Sequence, residues 1–261
     1  MQFIDAIWEF KNTGKHTCEL VFEAGDDFYS YPAELINNQY EFSVAKVPAG
    51  NLGLIHKLEE EGYRYLENQL LIEFDVSQVS SLYEEWSSQL AAFSCDVVEE
   101  EELMEKILDE IENNMFETDR YSLDPLMGGK VSSVRYRNWL RSLLDHGTTD
   151  IYIMKRNNVD VGFFTIKQET ERLSTCPIAG IFSDYKNRGY FLALAFLWLK
   201  ASSERGYKRL STSISTNNTS IHSFLSKVFS FKVKTTYVVL RKVINKNKIE
   251  NINSYSGFPG R

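Results

Sequence analysis

The stretch IFSDYKNRGYFLALAFLWLK, residues 181–200, decides the fold of this chain. Its first part is a short polar turn, Ser183–Gly189. Its second part is apolar on nearly every side, which predicts a buried helix from Tyr190 to about Glu204, covered by a sheet and by other helices. Residues 173–182 have the pattern of a strand, so we expect a strand, a tight turn and a helix in direct succession.

This succession has the geometry of an anion site. At the start of a helix, unpaired backbone N–H groups and the positive end of the helix dipole point the same way. Gly189 lets the backbone come close to a phosphate group, and Lys186 or Arg188 supplies positive charge. The other interpretation, that the glycine only makes a turn before the helix, stays open on these residues alone.

The flanking sequence predicts further elements around this site. From hydrophobic periodicity and from cap and turn residues, we expect a helix from Glu99, a long loop over residues 117–131, a helix around Trp139, a hairpin of strands 151–155 and 161–167, a strand at Arg209–Ser215, a helix at Thr219–Phe229 entered at Asn218, and a strand at Val233–Arg241. Residues 75–96 give no clear pattern, and we interpret them as a connection between two domains.

The turn Lys186-Asn187-Arg188-Gly189-Tyr190-Phe191, followed by a buried helix, a strand and a second helix, resembles the core of the GNAT acyltransferase superfamily. In that family the turn reads basic or Gln, two variable residues, Gly, one variable residue, and Gly or Ala. The resemblance implies an α/β (α+β) fold whose mixed, mostly antiparallel central sheet is flanked by helices, preceded by a smaller α/β domain. It also implies acetyl-CoA, or another short acyl-CoA, as the cofactor.

The resemblance assigns the cofactor site residue by residue. The strand before the turn would pair through its backbone with the pantetheine arm, and the turn would hold the pyrophosphate. The implied set is Ile178, Gly180, Ile181, Phe182, Lys186, Asn187, Arg188, Gly189, Tyr190, Phe191 and Asn218. For Asn218, an N-cap role at the start of its helix is an equally good interpretation.

Two positions depart from the family pattern. Phe191 stands where a small residue is usual, and Leu225 stands where related enzymes carry the tyrosine that protonates the departing thiolate. The catalytic residue is therefore unknown, and the substitutes we consider are Tyr185, Tyr190, Tyr237 and Ser226. Loss of such a proton donor typically costs about a hundredfold to ten-thousandfold in rate.

A closer resemblance extends over about residues 45–241. The segments FETDRYSLDP (116–125), YRNWL (136–140) and TTYVVLRK (235–242) resemble TDP-fucosamine acetyltransferases, two-domain GNAT enzymes that acetylate a nucleotide-linked amino sugar. This implies direct attack of a primary amine on the thioester, without a covalent enzyme intermediate.

The acceptor-side residues implied by this resemblance are Arg120, Tyr121 and Asp124. Arg120 could hold a diphosphate by a bidentate contact, or it could form a pair with Asp124 that only pins the loop. Two other functions stay open for the chain. One is a GNAT-like module that binds acyl-CoA or a partner without catalysis, and the other is a protein or peptide N-acetyltransferase.

Length and composition bound the remaining possibilities. The 261 residues predict two domains at about 150 residues per domain. We place an amino-terminal α/β domain with its connection at 1–95, the acyltransferase domain at 96–245 and a polar tail at 246–261. The net charge of −7 disfavours nucleic acid, which recruits clustered Lys and Arg.

The sequence also limits the location and the partners that we expect. No apolar run reaches the roughly 18 residues that span a bilayer, and the start lacks the order of a secretory signal, so we expect a cytoplasmic protein without a membrane partner. The three cysteines and four histidines show no metal-binding spacing, so we expect no metal. A homodimer is compatible with the sequence.

Overall fold

The computed structural model describes residues 1–113, 115–145 and 147–244, except for the side chain of Asp145. The strands are β1 (Gln2–Asp5), β2 (Thr17–Val21), β3 (Phe42–Pro48), β4 (Arg64–Asp75), β5 (Phe93–Val97), β6 (Thr149–Arg156), β7 (Val159–Gln168), β8 (Leu173–Thr175), β9 (Ala179–Ile181), β10 (Arg209–Ser215) and β11 (Phe231–Val243). The helices are α1 (Glu9–Thr13), α2 (Ala33–Gln39), α3 (Leu52–Glu60), α4 (Val79–Leu90), α5 (Glu101–Glu112), α6 (Arg120–Leu123), α7 (Gly129–Asp145), α8 (Phe191–Glu204) and α9 (Thr219–Val228).

The described chain forms two compact units, and the larger one comprises residues 70–235. Its strands follow the order β4-β10-β8-β7-β6-β5, with β9 paired to β7. The pairs β5–β6, β6–β7, β7–β8 and β7–β9 are antiparallel, and β8–β10 is parallel. The sheet of this unit is therefore mixed and mostly antiparallel.

Both faces of that sheet are buried. Along β6, Tyr152 and Met154 pack into a core formed with α4 and α8, whereas Ile151 and Ile153 pack into a second core formed with α5 and α7. This alternation is the period of two that a strand imposes on its side chains. Helices on both faces explain why α8 is apolar almost all round, with buried residues at every position from Ala193 to Leu199.

The smaller unit comprises residues 1–69 together with 236–244. Its strands follow the order β1-β2-β3-β11, with β2 parallel to β3 and the other two pairs antiparallel. One face of this sheet forms a core with α2 and α3 in which Leu20, Ala45, Leu58 and Leu240 are fully buried.

One series of elements occurs twice in the described chain, once from β2 to β4 and once from β9 to β11. The series β2-α2-β3-α3-β4 has the same order of elements as β9-α8-β10-α9-β11. Asn51 caps α3 with φ −90° and ψ 65°, and Asn218 caps α9 with φ −84° and ψ 67°. β4 and β11 each begin thirteen residues after their asparagine. The turn before α2 contains Asp26 and Asp27, however, so only the larger unit has a basic, glycine-containing turn at this place.

Most predicted elements of the larger unit are confirmed, including the hairpin of β6 and β7. Its turn residues Asn157 and Asn158 have φ of 49° and 64°, the left-handed values that a two-residue hairpin turn requires. Three predictions are wrong. The loop expected over residues 117–131 contains α6 and the start of α7. The strand expected over 173–182 is broken into β8 and β9, because Pro177 between them has no N–H to donate. Residues 75–96, taken as a connection, contain α4 and β5.

The compact units are bounded differently from the predicted domains. Residues 70–95 belong to the larger unit because Ile72, Phe74, Leu82 and Leu90 pack into its core. Residues 236–244 belong to the smaller unit, where β11 pairs with β3. Residues 96–245 as the acyltransferase domain stay a prediction, and the predicted tail, 246–261, lies outside the described residues.

Gly162→Ala tests the close pairing of β7 with β9. A Cβ at residue 162 would stand 2.6 Å from the backbone oxygen of Gly180, so the strands must shift. We expect the free energy of unfolding to fall by about 1–3 kcal/mol in urea titrations. Gly53→Ala in α3 is the control, since its Cβ would meet nothing within 4 Å and should leave stability unchanged or raise it by up to about 1 kcal/mol. Equal stability of Gly162→Ala and the wild type would contradict the pairing.

Candidate functional site

The candidate site begins where β9 separates from β10. β8 runs parallel to β10 as far as Thr175 and Ser211, and the N–H of Cys176 still donates to the oxygen of Ser211 at 3.0 Å. Beyond Pro177 the chain follows β7 instead, while β10 continues to Ser215. In the described strand order β9 pairs with β7 alone, so its other edge faces the gap toward β10.

Thr165 of β7 makes this change of partner possible. Its hydroxyl donates to the oxygen of Ile178 at 2.8 Å and accepts from the N–H of Ile178 at 3.1 Å, and its own N–H donates to the same oxygen at 3.1 Å. Thr165 is fully buried. A buried hydroxyl that satisfies both backbone groups of one residue offsets the ladder bond that Pro177 cannot form.

The turn after β9 has the backbone that an anion site requires. Asn187 and Gly189 have φ of 62° and 75°, in the left-handed region. α8 follows at once from Tyr190, and no side chain within the described residues caps its start. A Cβ at Gly189 would meet no atom within 4 Å, so nothing crowds this residue on its Cβ side. Because no described side chain caps the start of α8, its first N–H groups are available to an anion.

Contacts from α5 and the segment after it hold the turn in place. The N–H and the hydroxyl of Ser183 both donate to Oε2 of Glu110, at 3.0 and 2.8 Å. Nζ of Lys186 lies 3.6 Å from Oε1 of Glu117. Because Glu117 is mostly exposed, this ion pair is worth at most about 1 kcal/mol, and an anion at the turn could compete for Lys186.

Aromatic residues flank the turn on the side of β5 and β6. The rings of Tyr185 and Tyr190 are stacked 6.2 Å apart, and Arg188 lies 5.4 Å from the Tyr185 ring. The Tyr190 hydroxyl accepts a hydrogen bond of 3.0 Å from Arg156, and its ring meets Phe93 edge-on at 5.1 Å. The hydroxyl of Tyr190 is thus engaged by β6, and a proton-donor role for Tyr190 or Tyr185 stays a prediction.

On the other side, α8 meets α9 through Phe191. The Phe191 ring lies 5.3 Å from the Phe224 ring at an interplanar angle of 85°, an edge-to-face contact. Leu225, next to Phe224, is buried in the core. Oδ1 of Asn218 accepts from the N–H of Ile221 at 3.2 Å, so the N-cap interpretation is confirmed. Its predicted place beside the pantetheine arm stays a prediction.

The remaining proton-donor candidates are Ser226 and Tyr237. Ser226 is exposed on α9 and donates to the backbone oxygen of His222 at 2.8 Å. Tyr237 belongs to the smaller unit, where it is in register with Pro48. Neither position identifies a catalytic residue, and the catalytic assignment stays unknown.

The predicted acceptor residues are buried. Arg120, Tyr121 and Asp124 are 7%, 6% and 3% exposed, and Nη2 of Arg120 donates to the Tyr121 hydroxyl at 3.1 Å. Arg135 of α7 lies 4.4 Å from the Tyr121 ring. The predicted loop 117–131 therefore contains α6 and the start of α7, and both interpretations of Arg120 remain predictions.

Asp119 organises this region, and our sequence analysis missed it. Its Oδ1 accepts from the N–H of Tyr121 at 2.8 Å, and its Oδ2 accepts from the hydroxyls of Ser122 and Ser132 at 2.7 Å each. An Asp directly before a helical turn is a typical N-cap, which is the signal that could have identified it.

The cysteines do not provide a nucleophile. Burial raises the pKa of each of the thiols of Cys18, Cys95 and Cys176 to about 11, whereas a reactive cysteine needs a lowered pKa. Within residues 1–113, 115–145 and 147–244, no three His, Cys, Asp or Glu side chains are grouped as metal ligands. In the same residues, no helix has the length and apolar content to cross a membrane.

Comparison with known proteins gives the fold. No family model matches this chain, and no curated protein matches it. Among the solved structures that resemble it is a functionally unknown conserved protein from Staphylococcus epidermidis, with 11% identity, coverage of 91% of this chain and 88% of that one, and a TM-score of 0.61. A tandem GNAT protein from the clavulanic acid biosynthesis pathway has 11% identity, coverage of 88% and 75%, and a TM-score of 0.56. A GCN5-related glucosamine N-acetyltransferase region of a fungal multi-domain β-N-acetylglucosaminidase has 9% identity, coverage of 92% and 30%, and a TM-score of 0.59.

These likenesses show that the chain has the GNAT fold, a mixed sheet flanked by helices, as the sequence predicts. Identities near 10% carry no statement about activity. The glucosamine N-acetyltransferase region is part of a much longer chain, of which our chain covers 30%.

Alkylation measures the state of the three thiols. A pKa near 11 keeps each thiol protonated until the pH approaches that value, so the thiolate fraction at pH 7.5 is about three-hundredfold below that of free cysteine. We expect iodoacetamide to modify the folded protein at least that much more slowly, and the urea-unfolded protein, as the control, to react at all three positions. A folded-state cysteine that reacts as fast as free cysteine would contradict the pKa assignment.

Proposed function

We propose that this protein is an acyl-CoA-dependent N-acyltransferase that moves an acetyl or another short acyl group to a primary amine, with a nucleotide-linked amino sugar as the acceptor. The observation that carries the proposal is the turn Lys186–Phe191. It joins the open edge of β9 to the uncapped start of α8 and contains Gly189 at φ 75°. Such a turn suits a pyrophosphate, because several N–H groups and the helix dipole meet there.

The open edge of β9 supports the same cofactor. The pantetheine arm of coenzyme A carries amide groups, which can pair with a strand edge as another strand would. The edge of β9 that faces β10 is the place for such pairing. An arm laid along β9 from the turn would bring its thioester toward Cys176 and the point where β10 diverges.

The transfer needs no enzyme nucleophile. The amine nitrogen attacks the thioester carbonyl carbon, a C–N bond forms, and the adduct collapses with cleavage of the C–S bond. The ammonium proton passes to water, and the thiolate takes a proton from water. A thiolate is a much better leaving group than an alkoxide, so positioning of amine and thioester supplies the main acceleration. With Leu225 buried where an acid is expected, we expect slow turnover.

The amino-sugar acceptor is supported on the acceptor side by the neighbourhood of α6. Buried Arg120 and the neighbouring Arg135 both lie against the Tyr121 ring, with guanidinium carbons 5.0 and 4.4 Å from its centroid, and arginine is the side chain best suited to phosphate groups. One neighbour in fold is named a glucosamine N-acetyltransferase region, so an amino-sugar acceptor is compatible with this fold. A basic peptide is the competing acceptor.

A second candidate function is acyl-CoA binding without transfer. Leu225, 2% exposed, cannot donate a proton, and it occupies the position where the acid is expected. This candidate uses the same cofactor turn as the proposed N-acyltransferase and differs from it only in that no acyl group is transferred.

Thermal shift and thiol release together test the proposal. We expect acetyl-CoA to raise the melting temperature, because a ligand that binds only the folded state stabilises it. We also expect free thiol to appear only when a TDP- or UDP-linked amino sugar is added, with basic peptides tested in parallel. Stabilisation without release for any amine would favour the second candidate. No stabilisation by any acyl-CoA would overturn both.

Gly189→Ala and Gly206→Ala locate the site. Both glycines have left-handed φ, 75° and 86°, and a Cβ at either would meet nothing within 4 Å, so each substitution should cost about 1–2 kcal/mol of stability. They lie at opposite ends of α8. We expect calorimetric titration to show at least a tenfold weaker affinity for coenzyme A in Gly189→Ala and an unchanged affinity in Gly206→Ala. Equal affinities in the two variants would place the cofactor elsewhere.

A further inference from the structure

The contact of Phe191 with Phe224 spans the gap between two helices. Phe191 is the first residue of α8, directly after the turn, and Phe224 lies in the middle of α9. Their rings meet edge to face at 5.3 Å. β9 leads into α8 and β10 leads into α9, so the gap between the two strands continues between the two helix starts. The ring pair is a direct contact between the two helices.

This contact is the outer end of a chain of aromatic rings. Phe224 lies 6.0 Å from Phe229, Phe229 lies 6.0 Å from Phe74, and Phe74 lies 5.7 Å from Trp198 of α8. Phe74, Phe229 and Trp198 are buried, whereas Phe191 and Phe224 are only partly buried. The inner rings are therefore held on all sides by the core, and the outer pair is held on one side only.

We infer that Phe191 and Phe224 form an aromatic gate, which must open before the pantetheine arm of coenzyme A can lie along β9. The inference rests on the proposed function, since it concerns the same cofactor. The arm has to pass from the turn, at Gly189, to the free edge of β9. One edge of β9 is occupied by β7, so the path runs on the side of β10 and α9, where the two rings meet.

The energetic consequence follows from the closed contact. An edge-to-face aromatic pair stabilises the closed form by a modest amount beyond its buried area, and that amount is lost when the arm displaces Phe191. A ligand that binds only the open form has its apparent affinity reduced by the fraction of open molecules. Removal of either ring therefore favours the open form and strengthens binding, although it removes a hydrophobic side chain.

Coenzyme A affinity and association rate test the gate. In Phe191→Ala, calorimetric titration and stopped-flow fluorescence should show about two- to tenfold tighter binding and a faster association rate. Phe224→Ala breaks the same contact from α9 and should shift both quantities in the same direction, so the test survives if one variant fails to fold. Thermal melting without ligand confirms that each variant is folded.

Tyr83→Ala is the matched control. Tyr83 is an exposed aromatic residue of α4 that also contacts α8, with its ring stacked 5.8 Å from Phe196. It lies in a different contact, so its removal should leave the affinity for coenzyme A unchanged.

The outcomes separate the gate from the proposed function. Binding to the wild type with no gain in folded Phe191→Ala or Phe224→Ala would overturn the gate and leave the cofactor site standing. Binding of coenzyme A by the two variants but not by the wild type would also support the gate, because it would mean that the wild type is almost always in the closed form. Absence of binding in the wild type and in both variants would overturn the gate and the proposed cofactor site together.

Discussion

The loss of pairing between β9 and β10 is the constraint on which the site depends. Two neighbouring strands that stayed paired to their ends would leave no free edge for a ligand. Pro177 interrupts the ladder because it has no N–H, and Thr165 satisfies the backbone of Ile178 so that the chain continues along β7. A buried hydroxyl and a proline thus open the sheet at little cost in unsatisfied polar groups.

The turn and helix of the site could be predicted from the sequence, because they depend on local rules. Gly189 and the apolar run after it predict a tight turn and a buried helix from composition alone, and the structure has both. The break at Pro177 was missed because residues 173–182 have apolar side chains on both sides of it. Helix α4 was missed because its serines weaken the apolar pattern, although Leu82 and Leu90 still reach the core.

Contacts between residues far apart in the chain could not be predicted from the sequence. That Glu110 of α5 fixes Ser183, or that Arg156 engages Tyr190, follows from packing between elements far apart in the chain. The repeated series of elements, from β2 to β4 and from β9 to β11, is of the same kind. Asn51 and Asn218 have nearly equal backbone angles, yet only the turn before α8 is basic. Two similar chain paths therefore differ in charge, and only one of them suits a phosphate.

The central claim is that coenzyme A lies on the turn Lys186–Phe191 and along β9. Backbone amide chemical shifts measured with and without coenzyme A test it most directly. The account predicts the largest shifts at residues 187–191, whose N–H groups would face the pyrophosphate, with further shifts at Ala179–Ile181. Unchanged amides at both places, with shifts confined to another part of the chain such as the acidic turn at Asp26 and Asp27, would contradict it.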